Sequence, residues 1–320
     1  MRWTRMIVPA ILASSLVVGA GIPAAGAQGR WKEFRLPKAN SQPEDIAPGQ
    51  AGTVWFTEFH GSRIGRLTPS GGLTEYAIPT AQAAPEGIES GPDGAMWFTE
   101  WTGGKIGRIT SDGVVSEFPV PTRGSFPYRI VTGPDAALWF TENVGNKIGR
   151  ITTAGDFSEF ALPEASSGPL GITDGPDQAL WFTEESGDRI GRVTTDGTFT
   201  EFALTSGSEP FEIATGSDGA LWFTEFGRNN IGRITVNGDV TEFQVPTANS
   251  GPDSIAAGTD AMWFTEYVAG RIGHVSLQGT VRDSPTPTAN SYPGGIATGP
   301  SGGVWFTETG TGKVGALRPA

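Results

Sequence analysis

The chain of 320 residues contains no cysteine, which excludes disulfides, thiol catalysis and cysteine-held zinc. Histidine occurs only twice, so a histidine cluster for a transition metal is absent as well. Charged residues make up only 18% and methionines number 4, which argues against long helices and coiled coils. Positive charge is short: 22 Lys and Arg stand against 34 Asp and Glu, a net charge of −12. Nucleic acid and anionic membrane surfaces need a basic footprint, so neither is an expected partner. Beyond the N-terminus no apolar run reaches the 18 residues of a membrane span.

What is abundant is glycine (47), proline (24), phenylalanine (18) and tryptophan (10). Many turn formers with many large apolar groups describe an all-β chain with a real core, not a disordered one. Residues 1–27 read as a secretory signal, with Arg2 and Arg5 before an apolar run and Ala25-Gly26-Ala27 as the cleavage site. The expected locations are therefore the periplasm or the outside of the cell, with a single domain over residues 28–320.

That domain is one unit repeated seven times. Trp-Phe-Thr-Glu begins at Trp55, Trp97, Trp139, Trp181, Trp222, Trp263 and Trp305, in steps of 41 or 42 residues. A proline precedes each tryptophan by 12 residues, or by 11 in the sixth copy, and an Ile/Val-Gly pair follows at fixed distance. In the third copy, 128–132, 137–142, 147–152 and 157–162 read as four strands. Asp112-Gly113, Asp196-Gly197 and Asn237-Gly238 are two-residue hairpin turns. Four antiparallel strands at this period make a propeller blade, and seven copies make a seven-bladed β-propeller. The last copy stops after its third strand, while Trp31–Pro37 repeats fourth-strand text such as Ser158–Pro163. The N-terminal segment is thus expected to complete the last blade and leave no open edge.

The repeated residues are expected to carry structure. The tryptophans should pack between blades, and each motif glutamate, Glu58 through Glu308, should pair with the Lys or Arg opening the next strand in six blades. Function should sit where the repeat varies. The two residues after each proline differ from blade to blade, placing Glu44, Asp45, Glu86, Tyr128, Arg129, Phe211, Glu212 and Asp253 at one mouth of the channel. Tyr292 flanks the same mouth. Such a rim suits a small-molecule or peptide ligand. Its carboxylates Glu44, Glu86, Glu212 and Asp253 are the candidates for a hard cation, Mg²⁺ or Ca²⁺; a solvated polar mouth is the plainer reading. His60 lies in a tight turn, and His274 fills a slot that is arginine in five other copies.

The repeat text itself, Gly91–Glu100 and Lys147–Thr152 with Pro-x-Gly-Ile, resembles the virginiamycin B (streptogramin B) lyase family over the whole mature chain. The resemblance implies a seven-bladed propeller. It also implies linearisation of a cyclic depsipeptide by metal-assisted elimination, with Mg²⁺ holding the developing enolate. In that family the chemistry is carried by Pro-His in the sixth blade and Glu-Pro-His in the seventh. This chain has Pro252-Asp253 and Tyr292-Pro293-Gly294 there. Asp253 is the one catalytic candidate left. The expectation is a monomeric binding propeller without the family's catalytic set. Two alternatives stay open, a metal-dependent lyase or lactonase using rim carboxylates, and a non-catalytic module at the cell surface.

Overall fold

A computed structural model describes residues 30–38, 40–299 and 302–318; the expected signal segment 1–27 lies outside them. The strands form seven four-stranded antiparallel sheets, six of them assembled in chain order from the channel outwards and the seventh taking its outer strand from the N-terminal segment. A short 3-10 turn, Gln50–Gly52, is the one helical element among the described residues. Blade 3 shows the pattern: Pro127–Thr132, Leu138–Glu142, Lys147–Ile151 and Phe157–Ala161, each within a residue of the span expected from sequence. The second strand is buried throughout, because both of its faces meet neighbouring blades. The fourth alternates towards solvent.

Two devices of the repeat explain its glycines. A Cβ on Gly149 would sit 2.1 Å from Cζ of Phe140, so the Ile-Gly pair exists to let the motif phenylalanine lie flat on the third strand. At the outer hairpins Gly113, Gly197 and Gly238 adopt φ near +90°, open to glycine at little cost.

The tryptophans pack between blades as expected. Trp97 of blade 2 lies in one cluster with Leu138, Phe140 and Ile151 of blade 3, and Trp139 meets Leu180 and Phe182 of blade 4. Trp305 of blade 7 packs on the cluster of Val54, Phe56 and Leu67 of blade 1, so the apolar seam runs round the ring. Each fully buried indole removes roughly 150–250 Å² from water, on the order of 4–6 kcal/mol gross. Arg30–Arg35 pairs antiparallel with Lys313–Arg318, Phe34 opposite Val314, and supplies the outer strand of blade 7.

Candidate functional site

The first strand of every blade starts at the proline, loses register for two residues and resumes at the isoleucine, as between Pro127 and Ile130. Proline is tolerated because the bulge asks for no ladder hydrogen bond there. What fixes the bulge is the threonine of Trp-Phe-Thr-Glu. Each of the seven accepts the N–H of the second bulge residue of its own blade at 2.9–3.1 Å. Each then donates its hydroxyl to the carbonyl of the first bulge residue of the next blade at 2.6–2.8 Å. Thr307 donates to Glu44 and closes the circle. Fourteen hydrogen bonds thus gird the channel, and none uses a bulge side chain.

Those side chains make the mouth. Arg129 of blade 3 reaches across the channel: its Nη1 lies 2.7 Å from Oδ2 of Asp45 in blade 1, and its Nε donates to Oε2 of Glu212 in blade 5. Asp45 also accepts the N–H of Ile88 in blade 2 at 2.9 Å. Arg129 and Glu212 are each only 6% exposed, so three alternate blades are bridged by a desolvated ion triad. Burial pushes the Glu212 carboxyl up to about 7 against the pull of Arg129, and the charges of Asp45 and Asp253 add to the rise. Glu44 accepts from the Gln42 amide at 2.8 Å and, like Glu86 and Asp253, is buried. The mouth is therefore not a solvated polar rim: four of its five carboxylates are buried. Among the described residues no three His, Asp or Glu side chains are placed to hold a metal ion. The positive charge between Asp45 and Glu212 belongs to Arg129.

An aromatic arc adjoins the triad, with the Arg129 guanidinium 5.4 Å from the Tyr128 ring. Tyr128 and Phe211 meet edge to face at 6.1 Å across the gap between blades 3 and 5. Trp101 stands 5.5 Å from Tyr128 and 5.1 Å from Phe126, Phe226 stands 6.3 Å from Phe211, and Tyr267 pairs with Tyr292 at 5.4 Å. All but Tyr128 are half-buried, with ring surface left for a ligand. Sequence reasoning found Tyr128, Phe211 and Tyr292 and missed Trp101, Phe126, Phe226 and Tyr267. The missed four occupy two further variable slots, just after the motif glutamate or just before the proline. Phe126 and Tyr292 hold φ of 54° and 46°, left-handed values that cost a bulky residue roughly 1–2 kcal/mol. A cleft of about 460 Å³ opens beside Trp101 and Phe126, with Lys105 and Arg123 on its wall.

The motif glutamates do not make the expected hairpin ion pairs. Glu100 faces Lys105 in register, yet Lys105 Nζ turns outward to Glu117 at 2.9 Å. Arg63, Lys147 and Lys313 likewise choose Glu75, Glu159 and Glu33 at 2.6–2.7 Å. The cation follows the outer carboxylate because that one is partly solvated, whereas the motif glutamates are 0% exposed. Burial pushes Glu142 up to about 7 and Glu100 to about 8, helped by the outer carboxylates Glu159 and Glu117. Neither histidine reaches the bulges: His60 is exposed beside Phe59, and His274 rests 4.8 Å from Trp263 on the blade flank, its pKa lowered by burial.

The family model of virginiamycin B lyases matches residues 12–207 and 172–320. Among solved structures, a streptogramin B lyase superposes with a TM-score of 0.88 at 38% identity, over 91% of this chain and 98% of that one. Selenomethionine-substituted virginiamycin B lyase from Staphylococcus aureus gives 0.87 at 39% identity, over 91% and 99%. A catalytically inactive histidine-to-alanine form of the S. aureus enzyme with quinupristin gives 0.87 at 40%, over the same shares. No curated protein matches the chain.

Proposed function

The chain belongs to the virginiamycin B lyase family, and on that premise we propose that it binds a small-molecule or peptide ligand at the channel mouth without performing the family's elimination. The observation that carries this reading is the half-buried aromatic arc, a large apolar contact surface beside a site whose three matching positions are Asp253, Tyr292 and Gly294. An elimination needs a base within about 3 Å of the proton it removes and a group to steady the leaving oxygen. Gly294 offers no side chain, and a Cβ there would stand 2.8 Å from the Thr309 hydroxyl and 3.1 Å from the Glu44 carbonyl, so the place is built for glycine. Asp253 is the one carboxylate at the three matching positions, so it could supply at most one of the two groups. Loss of one histidine already inactivates the S. aureus relative.

Residues 1–27 support export, which fractionation of cells expressing the full chain would test. No helix among the described residues is long and apolar enough to cross a membrane. Incubating residues 28–320 with a streptogramin B and Mg²⁺ should leave the cyclic mass unchanged by mass spectrometry. Calorimetry on the same mixture should register binding that falls at least tenfold in Trp101→Ala and Phe211→Ala. Linear product that survives His60→Ala and His274→Ala but vanishes in Asp253→Asn or Glu212→Gln would overturn the reading and assign the chemistry to the rim carboxylates.

A further inference from the structure

The face opposite the mouth carries the turns from first to second strand, and these hold a second network. In blades 2 to 5 the residue four before the motif tryptophan is an aspartate: Asp93, Asp135, Asp177 and Asp218. One carboxylate oxygen accepts the tryptophan indole N–H at 2.9–3.2 Å. The other accepts Nε–H of the third-strand arginine at 2.6–2.8 Å. Four blades thus solve the same problem, two donors converging at one point, with the same chemistry. The carboxylate is charge-assisted on one side and oriented by the indole on the other.

Blade 1 keeps both donors and lacks the acceptor. Ala51 stands four before Trp55, while Arg66 is retained opposite Trp55 in the strand register, as Arg108 is opposite Trp97. The guanidinium lies 5.4 Å over the Trp55 ring, close to the 5.8–5.9 Å of Arg108, Arg150 and Arg233 over theirs. Arg66 Nη1 donates to the Ser111 carbonyl at 3.1 Å, but Nε is buried with no hydrogen-bond partner. The Gln50 side chain turns away to the Gly94 carbonyl at 3.4 Å. Blades 6 and 7 differ in another way, with His274 and Ala316 where the arginine would be.

A cleft of about 90 Å³ opens at this point between blades 1 and 2, with Trp55, Arg66, Thr53 and Ser90 on its wall and no acidic residue lining it. At about 30 Å³ per water, it has room for a group of three or four heavy atoms. A buried guanidinium N–H left unmade is costly, so the slot is primed for an anion of the shape that fills it elsewhere. We propose that blade 1 binds a small carboxylate in the slot that an aspartate side chain occupies in blades 2 to 5. Its two oxygens take the indole N–H of Trp55 and Nε–H of Arg66. This site is independent of the channel mouth and stands whether or not the mouth binds a ligand.

The indole N–H resonances of ¹⁵N-labelled protein give a direct test. Titration with sodium acetate should move the Trp55 signal saturably, with a dissociation constant on the order of 1–10 mM for two hydrogen bonds in a half-open cleft. Sodium chloride at matched ionic strength should not. Arg66→Gln should weaken the response at least tenfold; Arg66→Lys, which keeps the charge and loses Nε, serves the same purpose should the first fail to fold. Asp135→Ala empties a sister slot, and its Trp139 signal should then respond to acetate as Trp55 does. Triglycine distinguishes the source: binding tighter than acetate assigns the slot to a peptide carboxyl terminus, and equal or weaker binding assigns it to a free acid. A silent Trp55 overturns the proposal, whether Trp139 of Asp135→Ala responds or is silent too. An equal shift with chloride, or a Trp55 response that Arg66→Gln and Arg66→Lys leave unchanged, also overturns it.

Discussion

The motif threonines and the bulge residues they hold are in direct hydrogen-bond contact, yet one set is identical in all seven blades and the other never repeats a pair. The difference lies in which atoms are used. Every threonine hydroxyl binds only main-chain groups, an N–H in its own blade and a carbonyl in the next. The bulge geometry is thereby fixed whatever side chain it bears, and the rim can change chemistry without disturbing the ring. Arg129 can cross the channel to Asp45 and Glu212 because its own N–H is already anchored on Thr141 at 3.1 Å.

The largest effect should come from breaking the ion triad through which rim side chains tie three blades together. Arg129→Met leaves the buried Glu212 and the half-buried Asp45 without their counter-charge and should cost about 3–5 kcal/mol in chemical denaturation. Replacing the whole triad by Asp45→Asn, Arg129→Met and Glu212→Gln should recover most of that loss, because an ion cluster traded entire for neutral groups is close to neutral. If the triple variant is no better than the single one, the rim does not vary freely and the contrast with the ring fails.

Thr141→Val comes next, at about 2–4 kcal/mol, since the Arg129 N–H and the Leu170 carbonyl both lose their partner while shape is kept. Thr141→Ser keeps the hydroxyl and loses one methyl, so it should cost only about 0.8 kcal/mol. A loss in Thr141→Ser as large as in Thr141→Val, read by thermal and urea denaturation, would show that the methyl matters as much as the hydroxyl and would contradict this.

The last effect is in pH dependence. A motif glutamate such as Glu142 has a folded pKa of about 7 against an ordinary 4.5, so the folded state keeps a proton that the unfolded state releases. Its contribution is complete below pH 4.5 and lost as pH rises through about 7. The outer carboxylates Glu117 and Glu159 act in the opposite sense. Although burial works to raise them, hydrogen bonds to lysine and threonine hold both below the usual range, and their contribution is lost on acidification below about 4.5. Tm should therefore peak near pH 4.5, fall as pH rises to about 7 and level off above it, less steeply in Glu142→Gln. A Tm profile flat from pH 5 to 8.5 would contradict this.

The ring was legible in the text of the chain because a strict period needs no long-range information. Each blade reads itself, and closure by the N-terminal strand follows from matching Trp31–Pro37 to fourth-strand text. The triad was not legible: Asp45, Arg129 and Glu212 belong to alternate blades, and only the curvature of the closed ring brings them together. The hairpin pairing of Glu100 with Lys105 was misread because register fixes which residues face each other, not which way a long side chain turns. Trp101 and Phe126 could have been found, since the slots beside the motif vary as much as the rim does. The threonine ring leaves little trace, as its partners are main-chain atoms and impose no matching residue type.

The seam in blade 7 has a consequence in time. Glu33 and Lys313, bonded at 2.6 Å, are 280 residues apart in the chain, so the strand synthesised first finds its partner last. Bringing such distant ends together in an unstructured chain would cost about 5 kcal/mol of loop entropy. Blades 1 to 6 fold on neighbouring segments and, once stacked, deliver the two ends to each other, so most of that cost is met before the ends meet. Closure is then the late, slow step of assembly. The same geometry makes the seam the place where the ring first opens under stress. Amide hydrogens of Arg30–Arg35 should exchange ahead of those in the outer strands of blades 2 to 5, whose partners lie within a single hairpin.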